Sequence, residues 1–289
     1  MRTLKPFEYF EPRTIAEAVR IAFKYGDKAK VLAGGIDLLP RMRQRKIKPE
    51  CVISLQRVQG LGHIDGNGEG LRIGALTSLR SIELSSVVQR DYIILHEAIQ
   101  SIASIQVKSM GTAVGNLCVA TPASDVAPPL YVLGAKLKIA STVPERIIPI
   151  ENLFIGVNQT ILQPGEIVIE IIVPRPPPKT GSAFLKLVRT SADIAKVNVA
   201  VSVTITNNTC RDARIALGSV APTMIMATKA EETLKGKKLD QGVIEAAAQI
   251  AAEEAKPITD IRSTAEYRKE VTMVLVRRAI ERASERAKS

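Results

Sequence analysis

Two glycine-containing segments, far apart in the chain, have the composition that lets a backbone approach a phosphate closely. The first, AGGIDLLP, spans residues 33–40, and the second, GTAVGN, spans residues 111–116. Because glycine has no Cβ, its N–H groups can turn inward and form a nest of donors around an anion. Asp125 follows the second segment shortly afterwards. Two such segments favour a long, diphosphate-containing ligand that is held at separate points.

The sequence lacks the motifs of several common catalytic classes. It contains no GxSxG, no HExxH, no GxGxxG and no lysine of the Walker type after Gly34 and Gly35. Serine hydrolases, zinc proteases, Rossmann domains and P-loops are therefore disfavoured. The two histidines and three cysteines are too few and too scattered for a catalytic pair, a disulfide framework or a metal site. We predict no catalytic and no metal-binding residue, and interpret the chain as the holder of a cofactor.

Composition restricts the partners. The formal net charge is +11, yet aromatic residues make up only 3% and tryptophan is absent, so stacking platforms for nucleic acid are scarce. The densest basic stretch, residues 41–48, is either a solvated face or a docking face for an acidic partner or a phosphate-bearing ligand. No apolar run has the roughly 20 residues of a membrane span, and the N-terminus has no apolar signal core. We therefore expect a cytoplasmic protein with no nucleic-acid partner and no membrane span.

The first glycine segment is expected to lie between a strand and a helix. Thr14 and Glu17 form a capping box that starts an amphipathic helix. A strand at 30–33, a helix at 38–44 and a strand at 51–55 follow. These elements predict a compact β-α-β-α-β unit, with the glycines in the turn after a strand.

The second glycine segment is expected to be a loop that follows two helices. A glycine-rich hairpin turn at 65–70 precedes a strand at 71–74, and the helices are predicted near 78–84 and 92–104. Residues 166–173 alternate too little for a half-exposed strand, so they predict a buried one.

A proline-rich segment, PRPPP at 174–178, predicts a domain boundary, because it can continue neither a helix nor a strand ladder. Beyond it, strands precede helices, which is typical of an α+β domain. The predicted strands span 182–188, 196–206 and 211–218, and the predicted helices lie near 227–234, 241–255 and 264–286.

Four segments occur in order along the chain: VLAGGIDLLP at 31–40, GTAVGNL at 111–117, TPASDVAP at 121–128 and FLKLVRTSADIAK at 184–196. Together they resemble the FAD-binding medium subunit of molybdenum hydroxylases. That family includes the flavoprotein subunits of carbon monoxide dehydrogenase and 4-hydroxybenzoyl-CoA reductase and the FAD domain of xanthine dehydrogenase. The resemblance covers essentially the whole chain.

The resemblance implies an α+β fold with two domains. The first, residues 1–175, would be a two-lobed FAD-binding domain of the PCMH or vanillyl-alcohol-oxidase-like type, with lobes of about 1–57 and 58–175. The second, residues 180–289, would be a smaller α+β domain with a three-stranded antiparallel sheet and helices.

The resemblance also implies the residues that hold FAD. Gly34 and Gly35 would lie closest to phosphate, Asp125 would bind a ribose or ribityl hydroxyl, and Val168 would be an apolar or backbone contact. Lys186 would stabilise negative charge on the reduced flavin. The full set of implied contacts is Val31, Leu32, Ala33, Gly34, Gly35, Ile36, Asp37, Leu38, Ile102, Gly111, Thr112, Ala113, Val114, Gly115, Asn116, Asp125, Val168 and Lys186.

Two residues depart from the family pattern, and several have a plainer interpretation. Val114 stands where a glycine is common and would narrow the backbone options, and Ile36 replaces a small hydroxylated residue. Asn116 could cap a turn, Asp125 could cap a helix, and Lys186 could be an exposed residue on a strand. No cysteine-rich insertion for an additional iron–sulfur cluster is present.

The function implied by the resemblance is electron transfer through FAD within a larger complex. The partners would be a large molybdopterin subunit and a small subunit carrying [2Fe-2S] clusters, assembled as a dimer of heterotrimers. Electrons would pass from the clusters through FAD to an external acceptor. Two alternatives stay open: a non-catalytic module that binds a nucleotide or a partner, and a stand-alone FAD-dependent oxidase.

Overall fold

The computed structural model describes residues 4–288. Residues 1–3 and 289, which the predicted domains include, lie outside the described residues. The chain begins with three strands, β1 (Glu8–Phe10), β2 (Ala29–Leu32) and β3 (Cys51–Ser54), which form a parallel sheet in the order β1-β3-β2. Helices α1 (Ile15–Tyr25) and α2 (Leu38–Arg43) connect them. The predicted β-α-β-α-β unit is confirmed.

The capping box at the start of α1 is confirmed in part. The hydroxyl of Thr14 accepts a hydrogen bond from the N–H of Glu17, whose carboxylate accepts one from the N–H of Arg13 rather than from that of Thr14. The helix buries Ala18, Val19 and Ala22 against the core, as the apolar period predicts.

The next part of the chain combines short helices with an antiparallel sheet. Strands β4 (Ile64–Asn67) and β5 (Gly70–Gly74) form the predicted hairpin. The helices that follow are α3 (Leu79–Leu84), α4 (Ser86–Asp91), α5 (Ile93–Gln100), α6 (Ile105–Met110), α7 (Ala113–Cys118) and α8 (Ala127–Val132). The later strands are β6 (Lys136–Ala140), β7 (Arg146–Pro149), β8 (Phe154–Gly156), β9 (Gln159–Thr160) and β10 (Ile167–Pro174).

The larger sheet of this part has the order β4-β5-β10-β6-β7, and β8 pairs with β9 in a small hairpin. Strand β10 lies at the centre and is buried along most of its length. The prediction of a buried strand over 166–173 is therefore confirmed, because β10 pairs with β5 on one side and β6 on the other and most of its residues are buried.

Two of the predicted elements are wrong. The single helix near 92–104 is two helices, because Ala103 adopts a left-handed φ of 36° and Ser104 then caps α6 with its hydroxyl. The second glycine segment is not a loop, because α7 begins at Ala113 and includes Gly115. A short range of helical backbone thus replaces the expected loop.

The C-terminal part is an antiparallel sheet followed by helices. Its strands are β11 (Thr180–Leu187), β12 (Val197–Thr206), β13 (Thr209–Gly218) and β14 (Ile225–Met226), paired in that order. Its helices are α9 (Thr228–Leu234), α10 (Gln241–Glu254) and α11 (Ala265–Lys288). The three long strands are confirmed, and β14 adds a short fourth.

The C-terminal sheet is covered on both faces. Helix α11 packs on β11 and β12 and helix α9 packs on β13, while α5 and α8 of the preceding part pack on the sheet from the other side. Four side chains of this sheet region belong to the core of the N-terminal part: Phe184, Ala200, Ala216 and Met224. Glu97 on α5 also accepts hydrogen bonds from the N–H of Phe184 at 3.2 Å and from Arg286 at 2.6 Å.

Within the described part of the chain, none of the helices has both the length and the apolar character needed to cross a bilayer.

The packing of α11 on β11 makes a first prediction. A Cβ at Gly181 would lie 2.0 Å from the carbonyl oxygen of Ala283 and 2.4 Å from the backbone nitrogen of Ala287. Backbone atoms cannot move aside cheaply, so Gly181→Ala should lower the free energy of unfolding by about 1–3 kcal/mol. Urea denaturation measures this, with Gly68→Ala as the control because nothing lies within 4 Å of a Cβ there. Equal stability of the two variants would contradict the close packing.

Candidate functional site

A cavity of about 490 Å³ lies where the first glycine segment faces helices α6 and α7. Its volume is within the range of sites for small molecules and cofactors. Most of the residues predicted to contact a cofactor line it: Val31, Ala33, Gly34, Gly35, Ile36, Asp37, Leu38, Ile102, Gly111, Thr112, Val114, Gly115, Asn116 and Val168. Four predicted residues are not part of this lining: Leu32, Ala113, Asp125 and Lys186.

The lining also contains residues outside the predicted contact set. One of them, Arg41, belongs to the basic stretch 41–48 that the sequence offers as a docking face for a phosphate-bearing ligand. Lys30 and Arg41 flank the first glycine segment, on β2 and α2 respectively. Their charge next to a phosphate-type loop is a signal that the sequence offers directly. The apolar wall formed by Leu55, Ala75 and Leu79 comes from separate elements, and no local pattern marks these residues as neighbours.

Gly34 is required by a contact between two backbones. A Cβ at Gly34 would lie only 1.7 Å from the carbonyl oxygen of Met110, at the end of α6. Gly35 has a φ of 72°, which L residues with side chains rarely adopt. The first glycine therefore lets the loop touch the end of α6, and the second lets the chain turn into α2.

The first glycine loop contains four successive backbone N–H groups that make no hydrogen bond within the described part of the chain. The N–H groups of Gly34, Gly35, Ile36 and Asp37 donate to no acceptor among the described residues. Gly34 and Gly35 are partly buried, whereas Ile36 and Asp37 are exposed. All four residues line the cavity, and a row of free N–H groups on a cavity wall suits an anionic ligand.

The second glycine segment has a different role. The N–H of Gly115 already donates to the hydroxyl of Thr112 at 2.9 Å, and the N–H of Asn116 donates to the Thr112 carbonyl oxygen at 3.0 Å. Val114 is 5% exposed and lies inside α7 without a positive φ. A β-branched residue fits helical backbone, so the expected narrowing at Val114 does not disturb the fold. This segment forms the wall more than it supplies donors.

Asp125 and Lys186 contact each other. The ammonium of Lys186 lies 2.6 Å from Asp125 Oδ2, and Asn198 Nδ2 donates to Asp125 Oδ1 at 2.7 Å and to the Ser124 carbonyl oxygen at 3.0 Å. Burial raises the pKa of Asp125, and the charge of Lys186 opposes that rise. We call Asp125, Lys186 and Asn198 the buried clamp.

Sequence reasoning did not identify Asn198. Its plainer interpretation of Lys186 was an exposed residue on a strand. The pairing of β11 with β12 places Lys186 opposite Asn198, so both side chains lie on one face of the sheet. The side chain of Lys186 is only 6% exposed. An asparagine within the apolar run VNVAVSV, at 197–203, is the one local sign of this buried polar cluster.

The buried clamp reaches the cavity wall through the backbone and one hydroxyl. Lys186 Nζ donates to the carbonyl oxygen of Ser101 at 3.3 Å, and Ser101 directly precedes the lining residue Ile102. On the other side, the hydroxyl of Ser124 donates to Oδ1 of the lining residue Asn116. The clamp therefore ties the C-terminal sheet to two points of the cavity wall.

The plainer role considered for Asp125, a helix cap, belongs to its neighbour. The hydroxyl of Ser124 accepts the N–H of Ala127 at 3.1 Å, in the first turn of α8. The carboxylate of Asp125 is left for the clamp.

A second buried ion pair fixes the helix that meets Gly34. Lys108 on α6 lies 2.6 Å from Glu83 on α3, and Arg80 lies 2.8 Å from the other oxygen of the same carboxylate. Burial works against ionisation of Glu83, but the hydrogen bonds from Lys108 and Arg80 outweigh it and lower the pKa of Glu83. This pair holds α6, and with it Met110, against the glycine loop.

Cys118 lies on the cavity wall, whereas Cys51 and Cys210 are buried elsewhere. Cys118 as a whole is an exposed residue, and desolvation of its thiol raises the pKa of that group to about 12. At neutral pH the group is an uncharged thiol and a poor nucleophile. Among residues 4–288, no group of three or more His, Cys, Asp or Glu side chains is arranged to hold a metal ion.

The contact at Gly34 makes a prediction about stability. Gly34→Ala should lower the free energy of unfolding by about 1–3 kcal/mol, since the new Cβ would overlap the Met110 carbonyl oxygen. Gly62→Ala is the matched control, because nothing lies within 4 Å of a Cβ at that position. Denaturation of both variants without added ligand separates packing from ligand binding. A stable Gly34→Ala protein would show that the two segments do not touch.

The buried clamp makes a prediction that a double-mutant cycle can measure. Lys186→Met should cost about 3–5 kcal/mol, because it leaves Asp125 buried without a countercharge. The double variant Lys186→Met, Asp125→Asn should recover most of that loss, since the uncompensated charge is gone. Lys28→Met is the control: its pair with Glu50 is exposed and should be worth less than about 1 kcal/mol. Additive losses at 186 and 125 would contradict the clamp.

Comparisons with known proteins indicate the same kind of flavoprotein for the N-terminal and the C-terminal parts of the chain. A family model described as the FAD binding domain in molybdopterin dehydrogenase matches residues 5–176, and one described as the CO dehydrogenase flavoprotein C-terminal domain matches residues 182–283. The carbon monoxide dehydrogenase medium chain of Afipia carboxidovorans is 34% identical over 98% of both chains. A xanthine dehydrogenase FAD-binding subunit of Escherichia coli O157:H7 is 28% identical over 95% of both.

Solved structures agree with the sequence relatives. A carbon monoxide dehydrogenase chain from Hydrogenophaga pseudoflava superimposes with a TM-score of 0.95 at 34% identity, covering 98% of this chain and 99% of that one. A chain of quinoline 2-oxidoreductase from Pseudomonas putida 86 gives a TM-score of 0.93 at 27% identity, covering 99% and 100%. The predicted α+β fold and the predicted family are confirmed. With one family model over more than half of its length and the second over most of the remainder, this chain belongs to the FAD-binding, medium-chain flavoprotein family of the molybdopterin dehydrogenases.

Proposed function

We propose that this chain is the FAD-binding, electron-transferring medium subunit of a molybdenum-containing hydroxylase or dehydrogenase complex. The observation that carries the proposal is the row of four unused N–H groups at residues 34–37 on the wall of a cofactor-sized cavity. Membership of a family defined by its FAD-binding domain supports it. When bound, FAD supplies the redox chemistry, and the chain supplies position and electrostatics.

The residues present fit a dinucleotide. The N–H groups of Gly34, Gly35, Ile36 and Asp37 would donate to the diphosphate. The two glycines hold this loop in place, because Gly34 allows the close contact with Met110 and Gly35 allows the left-handed turn. The apolar part of the lining would accept a flat ring system: Leu55, Ala75, Leu79, Ile102, Val114 and Val168.

The clamp residues support the cavity wall without being part of its lining. Lys186 would hold the backbone at Ser101, and Asn198 would hold Ser124, whose hydroxyl binds the side chain of Asn116. The pocket would then keep one shape before and after the cofactor enters. Direct contacts of Asp125, Lys186, Leu32 and Ala113 with FAD stay predictions.

The complex itself is the second part of the proposal. Relatives named as medium chains of carbon monoxide and glyceraldehyde dehydrogenases imply large and small partner subunits. In our proposal these carry the molybdopterin and the [2Fe-2S] clusters, and electrons pass from the clusters through FAD to an external acceptor. The dimer of heterotrimers, the cytoplasmic location and the division into domains at 1–175 and 180–289 stay predictions.

The proposal predicts a yellow protein. The purified full chain should carry non-covalent FAD, which denaturation releases in an amount close to one per chain. Gly35→Val should lose it, because a β-branched residue cannot adopt the left-handed φ of this position without strain. Gly62→Val, in open space, is the control and should stay yellow. Absorbance of the supernatant after heat denaturation measures both.

Two other outcomes would decide against the proposal. A colourless protein that also fails to take up added FAD would favour a module that binds some other nucleotide or a partner. Yellow protein that oxidises a substrate alone, and that native mass spectrometry never finds with a large and a small subunit, would favour a stand-alone oxidase.

A further inference from the structure

Asn198 is the uncharged member of the buried clamp. Its side chain is completely buried, and its amide nitrogen uses both hydrogens, in bonds to Asp125 Oδ1 at 2.7 Å and to the carbonyl oxygen of Ser124 at 3.0 Å. A carboxylate and a carbonyl group are both acceptors. A rotated amide would bring Asn198 Oδ1 against these two oxygens, so the neighbours fix the amide in one orientation.

The chain leaves room for this amide on the next strand. Asn198 pairs with Lys186 on β11 and with Gly218 on β13, so the three residues form one row across the sheet. A Cβ at position 218 would lie 2.0 Å from Asn198 Oδ1. That oxygen accepts no hydrogen bond from any of the described residues, and a buried acceptor without a donor costs free energy. The favourable contacts of the amide are therefore those of its nitrogen, on Asp125 and Ser124.

The bond from Asn198 affects the charge of the clamp. Each oxygen of the Asp125 carboxylate has one donor, Lys186 on Oδ2 and Asn198 on Oδ1. Burial raises the pKa of Asp125, and the charge of Lys186 and the hydrogen bonds from both donors oppose that rise. With Asp125 ionised the clamp is neutral, and with Asp125 protonated the ammonium of Lys186 is left as an uncompensated positive charge. Loss of the Asn198 bond therefore shifts the clamp toward its positive form.

The clamp lies directly behind the wall proposed to face the flavin ring. Lys186 Nζ donates to the carbonyl oxygen of Ser101, the residue before the lining residue Ile102. Charges act strongly on one another across a protein interior of low dielectric constant. Reduction adds electrons to a flavin, so a positive charge behind this wall would favour reduced FAD over oxidised FAD.

We infer that Asn198 is a positioning residue that acts through Asp125 and keeps the reduction potential of FAD in this cavity low. It holds the carboxylate of Asp125 as the countercharge of Lys186, so that the clamp stays neutral. Asn198 is not part of the cavity lining, and the effect requires no contact with the cofactor. The inference rests on the proposed function, since FAD is the cofactor named there.

The test is a redox titration of the full chain loaded with FAD, at one pH, against a reference dye. Asn198→Leu removes the donor and keeps nearly the same volume. It should raise the potential, with reduced FAD favoured about tenfold more than in the wild type, which is about 30 mV for a two-electron couple. Asn198→Asp also keeps the shape but places a second carboxyl group beside Asp125, so it should lower the potential. A general disturbance of the cavity would not give shifts of opposite sign.

A double-mutant cycle tests whether Asn198 acts through Asp125. Asp125→Asn should raise the potential by itself, because the clamp then keeps the charge of Lys186 alone. Adding Asn198→Leu to that variant should change the potential no further, since the carboxylate that carries the effect is gone. Additive shifts would overturn the inference, because Asn198 would then act on the cavity by another route.

Thr204 supplies a control on the same strand. Its hydroxyl is hydrogen-bonded to that of Thr180 at 2.7 Å, and neither residue belongs to the clamp or to the cavity lining. Thr204→Val should lower the melting temperature of the ligand-free chain and leave the potential of FAD at its wild-type value. A shift as large as that of Asn198→Leu would show that any loss of a hydrogen bond in this sheet moves the potential, and would contradict the inference.

The outcomes separate this inference from the proposed function. If the wild type carries FAD and Asn198→Leu has the wild-type potential, the inference is wrong and the proposed function stands. If Asn198→Leu does not fold, Asn198→Asp decides, and an unchanged or raised potential in that variant overturns the inference. A wild-type chain that takes up no FAD overturns both.

Discussion

The site depends on one close approach, between the backbone at Gly34 and the carbonyl oxygen of Met110. No other residue type permits it, because the first side-chain carbon would lie 1.7 Å from that oxygen. The approach joins the loop after β2 of the parallel sheet to helix α6, and the cavity lies beside this contact. The buried Lys108–Glu83 pair fixes α6 from behind. Gly34, which the sequence predicts to be a ligand contact, is therefore also a packing contact between the β2–α2 loop and α6.

The buried clamp has a similar role at the other side of the cavity. Charges removed from water are costly unless they are paired and hydrogen-bonded, and Asp125 has both an ammonium and an amide as partners. Such a pair adds little net stability compared with apolar residues of the same volume. What it adds is a fixed geometry, because only one arrangement of β11 and β12 against Ser101 and Ser124 satisfies all of its members. Position is the property that a flavin site needs from its scaffold.

Local sequence was enough to predict most of the elements and the first glycine loop, and too little to predict the clamp. The β-α-β-α-β unit, the hairpin and the three long strands follow from apolar periods and turn residues that act over a few positions. The helical state of 113–118 was missed because Thr112, an N-cap, precedes a glycine and an asparagine that favour loops. The pairing of Asp125 with Lys186 and Asn198 joins residues more than sixty positions apart. Nothing local to any one of the three specifies it.

The two ends of the cavity are formed in different ways, one by a single short segment and the other by contacts between residues distant in sequence. The end of the cavity proposed for the diphosphate is local, because residues 30–41 supply basic lining residues, the free N–H groups and the turn in a single stretch of chain. The wall around Ile102 and Asn116 is held in place by long-range contacts from the C-terminal sheet. We therefore expect changes to the short stretch to act on affinity for the proposed diphosphate, and changes to the C-terminal sheet to act on the shape of the wall. In this arrangement, substitutions in the C-terminal sheet would alter the surroundings of the proposed ring-binding wall without changing the residues proposed to bind the diphosphate.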